Sequence, residues 1–125
     1  MTQRILVVED NENNRYLITF LLKGAGYETI EAVTGEEGIK KAMETRPDLI
    51  LMDIQLPGMD GFESTRRIRA SLIDEKIPIV ALTSYAMSGD RERALAAGCN
   101  GYIEKPINPD TVLDELKKFL PGNTR

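Results

Sequence analysis

The stretch Pro47-Asp48-Leu49-Ile50-Leu51-Met52-Asp53 decides the fold, because it places four consecutive large apolar residues directly before an acid. A run this short and apolar, followed by Leu56-Pro57-Gly58, predicts a strand that is buried on both faces. Strands of this kind belong to parallel sheets that helices cover on both sides. Ligand sites in open sheets of this class lie outside the carboxyl ends of the strands. Asp53 is therefore the first candidate for a functional side chain.

Four further strand patterns alternate with helical patterns along the chain. The other predicted strands are Arg4–Val8, Tyr27–Val33, Ile77–Leu82 and Tyr102–Glu104. The predicted helices begin near Asn13, Thr34, Asp60, Ser88 and Asn108. Alternation of this kind predicts an α/β fold of the flavodoxin-like (βα)5 type, with helices on both faces of a parallel sheet. The expected strand order is 2-1-3-4-5, which places the ends of the first and third strands side by side.

Apolar residues at helical spacing predict which face of each helix is buried. For the first helix these are Leu17, Phe20 and Leu21; for the second, Ile39, Ala42 and Met43; for the third, Phe62, Ile68 and Leu72; and for the last, Val112, Leu113, Leu116, Phe119 and Leu120. The helix after Ser88 offers only Ala94, Leu95 and Ala97, so we expect it to pack lightly and to be a candidate for movement.

The composition excludes several classes of function. The 125 residues carry a formal net charge of -4, and the lysines and arginines are interspersed with acids, which argues against direct nucleic-acid binding. There is no histidine, so a Ser-His-Asp triad, a His-ligated zinc and a phosphohistidine on this chain are all excluded. Cys99 is the only cysteine and has no basic neighbour, which favours a small buried residue over a nucleophile.

No apolar run approaches the roughly 20 residues that a membrane span needs. The amino terminus runs directly into a strand pattern and shows no signal core. We therefore expect a cytoplasmic protein without membrane insertion.

Reactive side chains follow the predicted strands on one edge of the sheet: Glu9, Asp10, Asp53, Thr83 and Lys105. Clustered carboxylates repel one another unless a cation shares them, and Mg²⁺ prefers such oxygen ligands. If Asp53 is a nucleophile toward a phosphoryl group, the acidic pair suits a metal, and Lys105 and Thr83 suit the phosphoryl oxygens. Taken singly, each residue has a simpler interpretation as a solvated acid, a cap or a surface charge. Their shared position at strand ends favours a site.

Four segments in this order make the chain resemble the receiver domain of two-component response regulators over nearly its whole length. They are Val7-Val8-Glu9-Asp10-Asn11, the run from Asp48 to Gly61, Ile79-Val80-Ala81-Leu82-Thr83-Ser84 and Gly101-Tyr102-Ile103-Glu104-Lys105-Pro106. The Asp-Ile-Gln-Leu-Pro and Thr-Ser-Tyr-Ala-Met segments are more similar to stand-alone receivers of the DivK type, or to receivers of hybrid kinases, than to chemotaxis regulators.

The resemblance implies a role for each candidate residue. Asp53 would be the phosphoacceptor; Glu9, Asp10, Asp53 and the backbone carbonyl of Gln55 the Mg²⁺ ligands; Thr83 and Lys105 the partners of the phosphoryl group; and Thr83 and Tyr102 the switch pair. It also implies a cis peptide between Lys105 and Pro106.

The implied partners are proteins. A histidine kinase or a histidine phosphotransfer protein would supply the phosphoryl group, and a downstream effector would bind the modified chain, itself a monomer or weak dimer. The last predicted helix ends near Leu120 and too few residues follow it for an output domain, so we expect 1–125 to form a single receiver domain.

Three other functions stay open at this stage. The chain can pass its phosphoryl group on to a histidine phosphotransfer protein as an intermediate shuttle. An aspartyl-nucleophile phosphohydrolase is disfavoured, because such enzymes place a second acid two residues after the nucleophile and this chain has Gln55 there. A flavodoxin-like cofactor binder is disfavoured because Glu9, Asp10 and Glu12 would repel an anion at the first strand's end.

Overall fold

The computed structural model describes residues 2–72, 76–84 and 89–120, in which strands and helices alternate. In chain order the elements are β1 (Arg4–Val8), α1 (Glu12–Gly24), β2 (Glu28–Ala32), α2 (Gly35–Thr45), β3 (Leu49–Asp53), α3 (Gly61–Ser71), β4 (Ile79–Thr83), α4 (Asp90–Ala97), β5 (Gly101–Glu104) and α5 (Val112–Lys117). None of the described helices is long and apolar enough to cross a membrane.

The strands form one parallel sheet in the order β2-β1-β3-β4-β5, as the sequence predicted. The register pairs Val8 of β1 with Met52 of β3, and Asp53 of β3 with Leu82 of β4. Thr83 in turn lies opposite Glu104 of β5. The residues that follow β1, β3, β4 and β5 therefore emerge at one edge of the sheet.

The sheet is buried on both faces, which explains the unbroken apolar run in β3. Alternate residues of β3 point to opposite sides, so that Ile50 and Met52 pack with α2, α3 and α4, whereas Leu49 and Leu51 pack with α1 and α5. All five residues of β3 are buried. This double coverage holds Asp53 at the end of a rigid strand.

Side-chain caps set where two of the helices begin. Thr34 accepts a hydrogen bond from the N–H of Glu37 at 3.1 Å, and the carboxylate of Glu37 accepts from the N–H of Val33 at 2.7 Å. Asp60 caps α3 by accepting from the N–H of Glu63 at 2.9 Å. The helix starts predicted near Thr34 and Asp60 are thus confirmed, since Thr and Asp side chains satisfy amide groups that the first helical turn leaves free.

The predicted buried face of α1 is wrong by one position. Ile18 and Leu22 are buried, Leu17 and Leu21 are only partly buried, and Phe20 is 62% exposed. Ile18 and Leu22 satisfy the helical spacing as well as the predicted residues do, so the spacing alone does not show which face is buried. Asn11 caps the start of this helix by accepting a hydrogen bond from the N–H of Asn14 at 2.9 Å.

Two other predicted core residues also differ. Met43 of α2 and Leu95 of α4 are largely exposed, since the shorter side chains of Ala42, Ala94 and Ala97 fill the contacts with the sheet. Helix α4 begins at Asp90 and packs through small residues, and the predicted start near Ser88 lies outside the described residues.

Helix α5 begins at Val112 and not directly after Asn108. The Asn108 side chain instead closes a turn by accepting from the N–H of Asp110 at 2.9 Å. The Asn108 carbonyl also accepts from the N–H of Val112 at 3.0 Å, so the chain turns here before the regular helix begins.

Candidate functional site

Three carboxylates meet at the carboxyl edge of the sheet. Glu9, Asp10 and Asp53 each place one carboxylate oxygen within 4.8 Å of the others. Glu9 and Asp53 are buried, and Asp10 is exposed at the rim. The arrangement follows from the topology, because β1 and β3 are neighbours in the sheet and both end at this edge.

Lys105 brings a positive charge to the two buried acids. Its Nζ lies 3.0 Å from Oε1 of Glu9 and 3.2 Å from Oδ1 of Asp53. The contact with Glu9 is a short ion pair and not a well-directed hydrogen bond. One ammonium among three carboxylates leaves the cluster with a net negative charge, if all are ionised.

Backbone N–H groups fix the orientation of both buried carboxylates. The N–H of Asn11 donates to Oε2 of Glu9 at 3.1 Å, and the N–H of Gln55 donates to Oδ1 of Asp53 at 3.0 Å. Arg15 stabilises the loop that follows β1, since its Nη1 donates to the backbone carbonyl of Glu9 at 3.0 Å. The carboxylates are thus held in place from the loops as well as from the strands.

Gly61 lets the start of α3 pass directly beneath Asp53. A Cβ at this position would lie only 2.2 Å from the backbone carbonyl oxygen of Asp53 and 2.8 Å from Cα of Ile54. The N–H of Gly61 donates to the carbonyl of Ile54 at 3.0 Å. The two atoms that an added Cβ would meet both belong to the backbone, so no side-chain rotation can make room for a larger residue.

The buried acids have unusual electrostatics. Burial, the contact with Glu9 and the negative charge of Glu9 together raise the pKa of Asp53 to about 7, against the opposing effects of Lys105 and the Gln55 N–H. Burial by itself would lower the pKa of Lys105, but the contacts and charges of Glu9 and Asp53 outweigh it and raise that pKa. An added cation would relieve the repulsion between the carboxylates. The donor set therefore fits a divalent metal that prefers oxygen ligands.

Thr83 lies at the same edge but its hydroxyl is engaged elsewhere. The residue is buried, and Oγ1 donates to Oδ2 of Asp90 at 3.1 Å. The Thr83 carbonyl accepts from the N–H of Lys105 at 2.8 Å. Tyr102 is partly buried, and the Arg91 guanidinium lies 5.6 Å from the centre of its ring.

The structure thus brings together Glu9, Asp10, Asp53 and Lys105, and it places Thr83 and Gln55 next to them. The peptide between Lys105 and Pro106 is cis, as the family resemblance implied. Cys99 is buried beside Thr65, and burial raises the pKa of its thiol, which confirms a structural residue.

Sequence reasoning missed two residues that act on the site. Asp90 holds the Thr83 hydroxyl, yet in the sequence it is only an acid near the start of a helix. Arg15 reaches back to the Glu9 carbonyl from the first helix. Neither belongs to a short motif, and only a three-dimensional structure could assign them these contacts.

Comparison with known proteins identifies the family. The model of the response regulator receiver domain matches residues 5–117. The polar-differentiation response regulator DivK of Brucella ovis is 43% identical over 120 residues, which are 96% of this chain and 98% of that protein.

Solved structures give the same answer. The chemotaxis protein CheY4 of Vibrio cholerae superposes with a TM-score of 0.90 at 32% identity, over 96% of this chain and 100% of that one. The receiver domain of the sensor histidine kinase PA1611 of Pseudomonas aeruginosa has a TM-score of 0.87 at 39% identity, over 95% and 98% of the two chains. That structure has a magnesium ion coordinated in its active-site cleft. The present chain belongs to the response regulator receiver domain family of two-component signalling.

Proposed function

We propose that Asp53 is the phosphoacceptor of this receiver and that its modification signals through protein contacts. The observation that carries the proposal is the position of its carboxylate, buried between an acidic pair and the ammonium of Lys105. Such a carboxylate is shielded from water and held in one orientation, as a nucleophile toward phosphorus requires. Glu9 shares these neighbours, but Asp53 alone of the three acids ends β3, the middle strand of the sheet.

The transfer takes the phosphoryl group from a histidine of a partner protein, since this chain contains no histidine. A carboxylate oxygen of Asp53 attacks phosphorus, the P–N bond to the donor imidazole breaks, and the imidazole keeps the bonding electrons. The product is an acyl phosphate on Asp53. Lys105, already 3.2 Å from the carboxylate, stays close enough to pair with a phosphoryl oxygen. Thr83 supplies a hydrogen bond to another oxygen.

Glu9, Asp10, Asp53 and the backbone carbonyl of Gln55 would hold a Mg²⁺ ion. When bound, the ion supplies positive charge that offsets the negative charge of the carboxylates and of the incoming phosphoryl group. The oxygen donor set and the net negative charge of the cluster support this assignment.

A partner that reaches Asp53 also has an apolar feature to contact. Tyr16 and Phe20 project from α1, 68% and 62% exposed, with their rings stacked at 6.1 Å between centroids. Helix α1 begins directly after the acidic loop, and its rise of about 1.5 Å per residue places the pair within roughly 15 Å of the loop. Exposed aromatic residues are common anchors of protein interfaces. We assign this pair to the histidine kinase or histidine phosphotransfer protein that donates the phosphoryl group.

The output is a contact with a downstream effector or return of the phosphoryl group to a histidine phosphotransfer protein. Tyr102 and the lightly packed helix α4 are the elements next to Thr83 that can respond. Repeated turnover of phosphomonoesters is not supported, because the position two after Asp53 is an exposed glutamine.

The direct test is covalent labelling with acetyl phosphate and Mg²⁺, followed by intact mass and by peptide mapping. We expect one phosphoryl group on the wild type and none on Asp53→Asn. Glu36→Gln, which removes one exposed acid from α2, serves as the matched control and should label normally. Stoichiometric labelling of Asp53→Asn would refute the assignment, and sustained hydrolysis of a phosphomonoester would favour a phosphohydrolase.

A further inference from the structure

Thr83 and Asp90 form a buried side-chain hydrogen bond across the β4–α4 connection. Oγ1 of Thr83 donates to Oδ2 of Asp90 at 3.1 Å, and both residues are buried. Hydrogen bonds from a hydroxyl to a buried carboxylate are stronger than neutral ones, because water does not compete and one partner is charged.

Asp90 is held in position by three groups. It is the first residue of α4, where the helix dipole favours a negative charge, and the preceding Gly89 provides no side-chain cap. Nη1 of Arg93 lies 3.6 Å from Oδ1, and Thr83 occupies Oδ2. The carboxylate therefore keeps the contacts with the helix start and with Arg93 when the hydroxyl leaves.

The backbone of Thr83 cannot follow its side chain. Its carbonyl accepts from the N–H of Lys105 at 2.8 Å, and the strand is paired with β3 and β5. Reorientation of the hydroxyl therefore has to occur by rotation about χ1, between discrete staggered positions. Since the hydroxyl has one proton, it cannot donate to Asp90 and to a group on Asp53 at the same time.

We infer that Asp90 is a positioning residue that holds the Thr83 hydroxyl in the unmodified state and competes with the phosphoryl group for it. The inference rests on the proposed phosphorylation of Asp53. Modification then has to break the Thr83–Asp90 hydrogen bond, and the strength of that bond sets how far the equilibrium lies toward the unmodified arrangement.

The same turn of α4 is linked to two aromatic side chains. Arg91 lies over Tyr102 at 5.6 Å, and Arg93 lies over Phe62 at 4.3 Å from the ring centre. When Asp90 loses its contact with Thr83, the first turn of α4 loses a tie to the sheet. The release thus occurs at a helix whose buried apolar contacts are made by the small residues Ala94 and Ala97.

The test is the affinity for beryllofluoride with Mg²⁺, a phosphoryl mimic, measured by calorimetry and by ¹⁹F NMR. We expect Asp90→Ala to bind about tenfold more tightly than the wild type, equivalent to about 1.4 kcal/mol, and Asp90→Asn to fall between them. Glu92→Ala removes an exposed acid from the same helical turn and should match the wild type.

A double-mutant cycle separates competition for the hydroxyl from a general structural effect. In the Thr83→Ala background, Asp90→Ala should no longer change the affinity, because no hydroxyl remains to compete for. Binding of Mg²⁺ alone should be the same with and without Asp90→Ala. An equal gain in both backgrounds, or no gain in either Asp90 variant, would overturn the inference.

A different result would refute the proposed function itself: equal affinity of the wild type and of Asp53→Asn for beryllofluoride. Circular dichroism establishes that each variant is folded, and Asp90→Asn decides the question if Asp90→Ala does not fold.

Discussion

The ammonium of Lys105 lies 3.2 Å from the carboxylate of Asp53, although their strands are separated by β4 in the sheet. The same nitrogen lies 3.0 Å from the carboxylate of Glu9, so Lys105 forms ion pairs with two buried acids. Removing one partner of a buried ion pair leaves the others without compensation, which typically costs several kcal/mol.

We therefore expect Lys105→Met to destabilise the Mg²⁺-free protein at pH 8 by on the order of 3 kcal/mol and to reduce labelling by acetyl phosphate. Urea denaturation measures the first effect and mass spectrometry the second. Lys41→Met is the matched control, because Lys41 pairs with a partly exposed Glu37 at 3.4 Å. Its loss should cost no more than about 1 kcal/mol. Equal losses in the two variants would contradict a special role for Lys105.

The raised pKa of Asp53 predicts how stability depends on pH. Burial and the neighbouring Glu9 raise its pKa from 3.8 to about 7 in the folded protein, so the folded state binds the proton more tightly than the unfolded state does. The contribution of this group is fully present below about pH 4 and is lost as the pH rises through 7. In Mg²⁺-free buffer, Asp53→Asn should thus gain stability relative to the wild type between pH 5 and 8, as followed by thermal unfolding.

If the difference in stability between the wild type and Asp53→Asn stays constant from pH 5 to 8, the raised pKa of Asp53 is contradicted. Added Mg²⁺ should narrow the gap at pH 8, because a bound cation favours the ionised carboxylate.

The sequence predicted the fold because the runs of β1, β3 and β4 are short and apolar and alternate with helical patterns. Chain alternation predicted the parallel sheet, and the flavodoxin-like strand order then placed Glu9, Asp10, Asp53 and Lys105 at one edge. The buried face of α1 was not predictable from spacing, since the helix carries two interleaved apolar sets and the fold buries Ile18 while Phe20 stays exposed. Side-chain partners between elements, above all Thr83 with Asp90, have no sequence period and emerge only when the chain is folded.

A single methyl group added at Gly61 should displace the carboxylate of Asp53. A Cβ there would approach the Asp53 carbonyl to 2.2 Å, so Gly61→Ala has to displace either β3 or the start of α3. We expect a loss of about 2 kcal/mol or more in the free energy of unfolding and slower labelling of Asp53. Gly24→Ala is the control, because nothing lies within 4 Å of the added atom. Chemical denaturation of both variants checks the prediction, which a Gly61→Ala protein of wild-type stability would contradict.

The stacked pair Tyr16 and Phe20 makes a prediction that separates docking from chemistry. The donor for this test is a phosphohistidine-bearing kinase that labels the wild type. If the pair contacts the phosphodonor protein, the double variant Tyr16→Ala/Phe20→Ala should receive the phosphoryl group roughly tenfold or more slowly from this kinase. Labelling by acetyl phosphate should not change, because both side chains are largely exposed and the acidic cluster does not depend on them.

Met43→Ala is the matched control for this experiment. It removes an exposed apolar side chain from α2, whose buried residue Ala42 packs on the other face of the sheet from α1. Transfer from the kinase should be unaffected in this variant. Equal slowing with kinase and with acetyl phosphate would place the effect at Asp53 itself, and unchanged transfer from the kinase would exclude the pair from the docking surface.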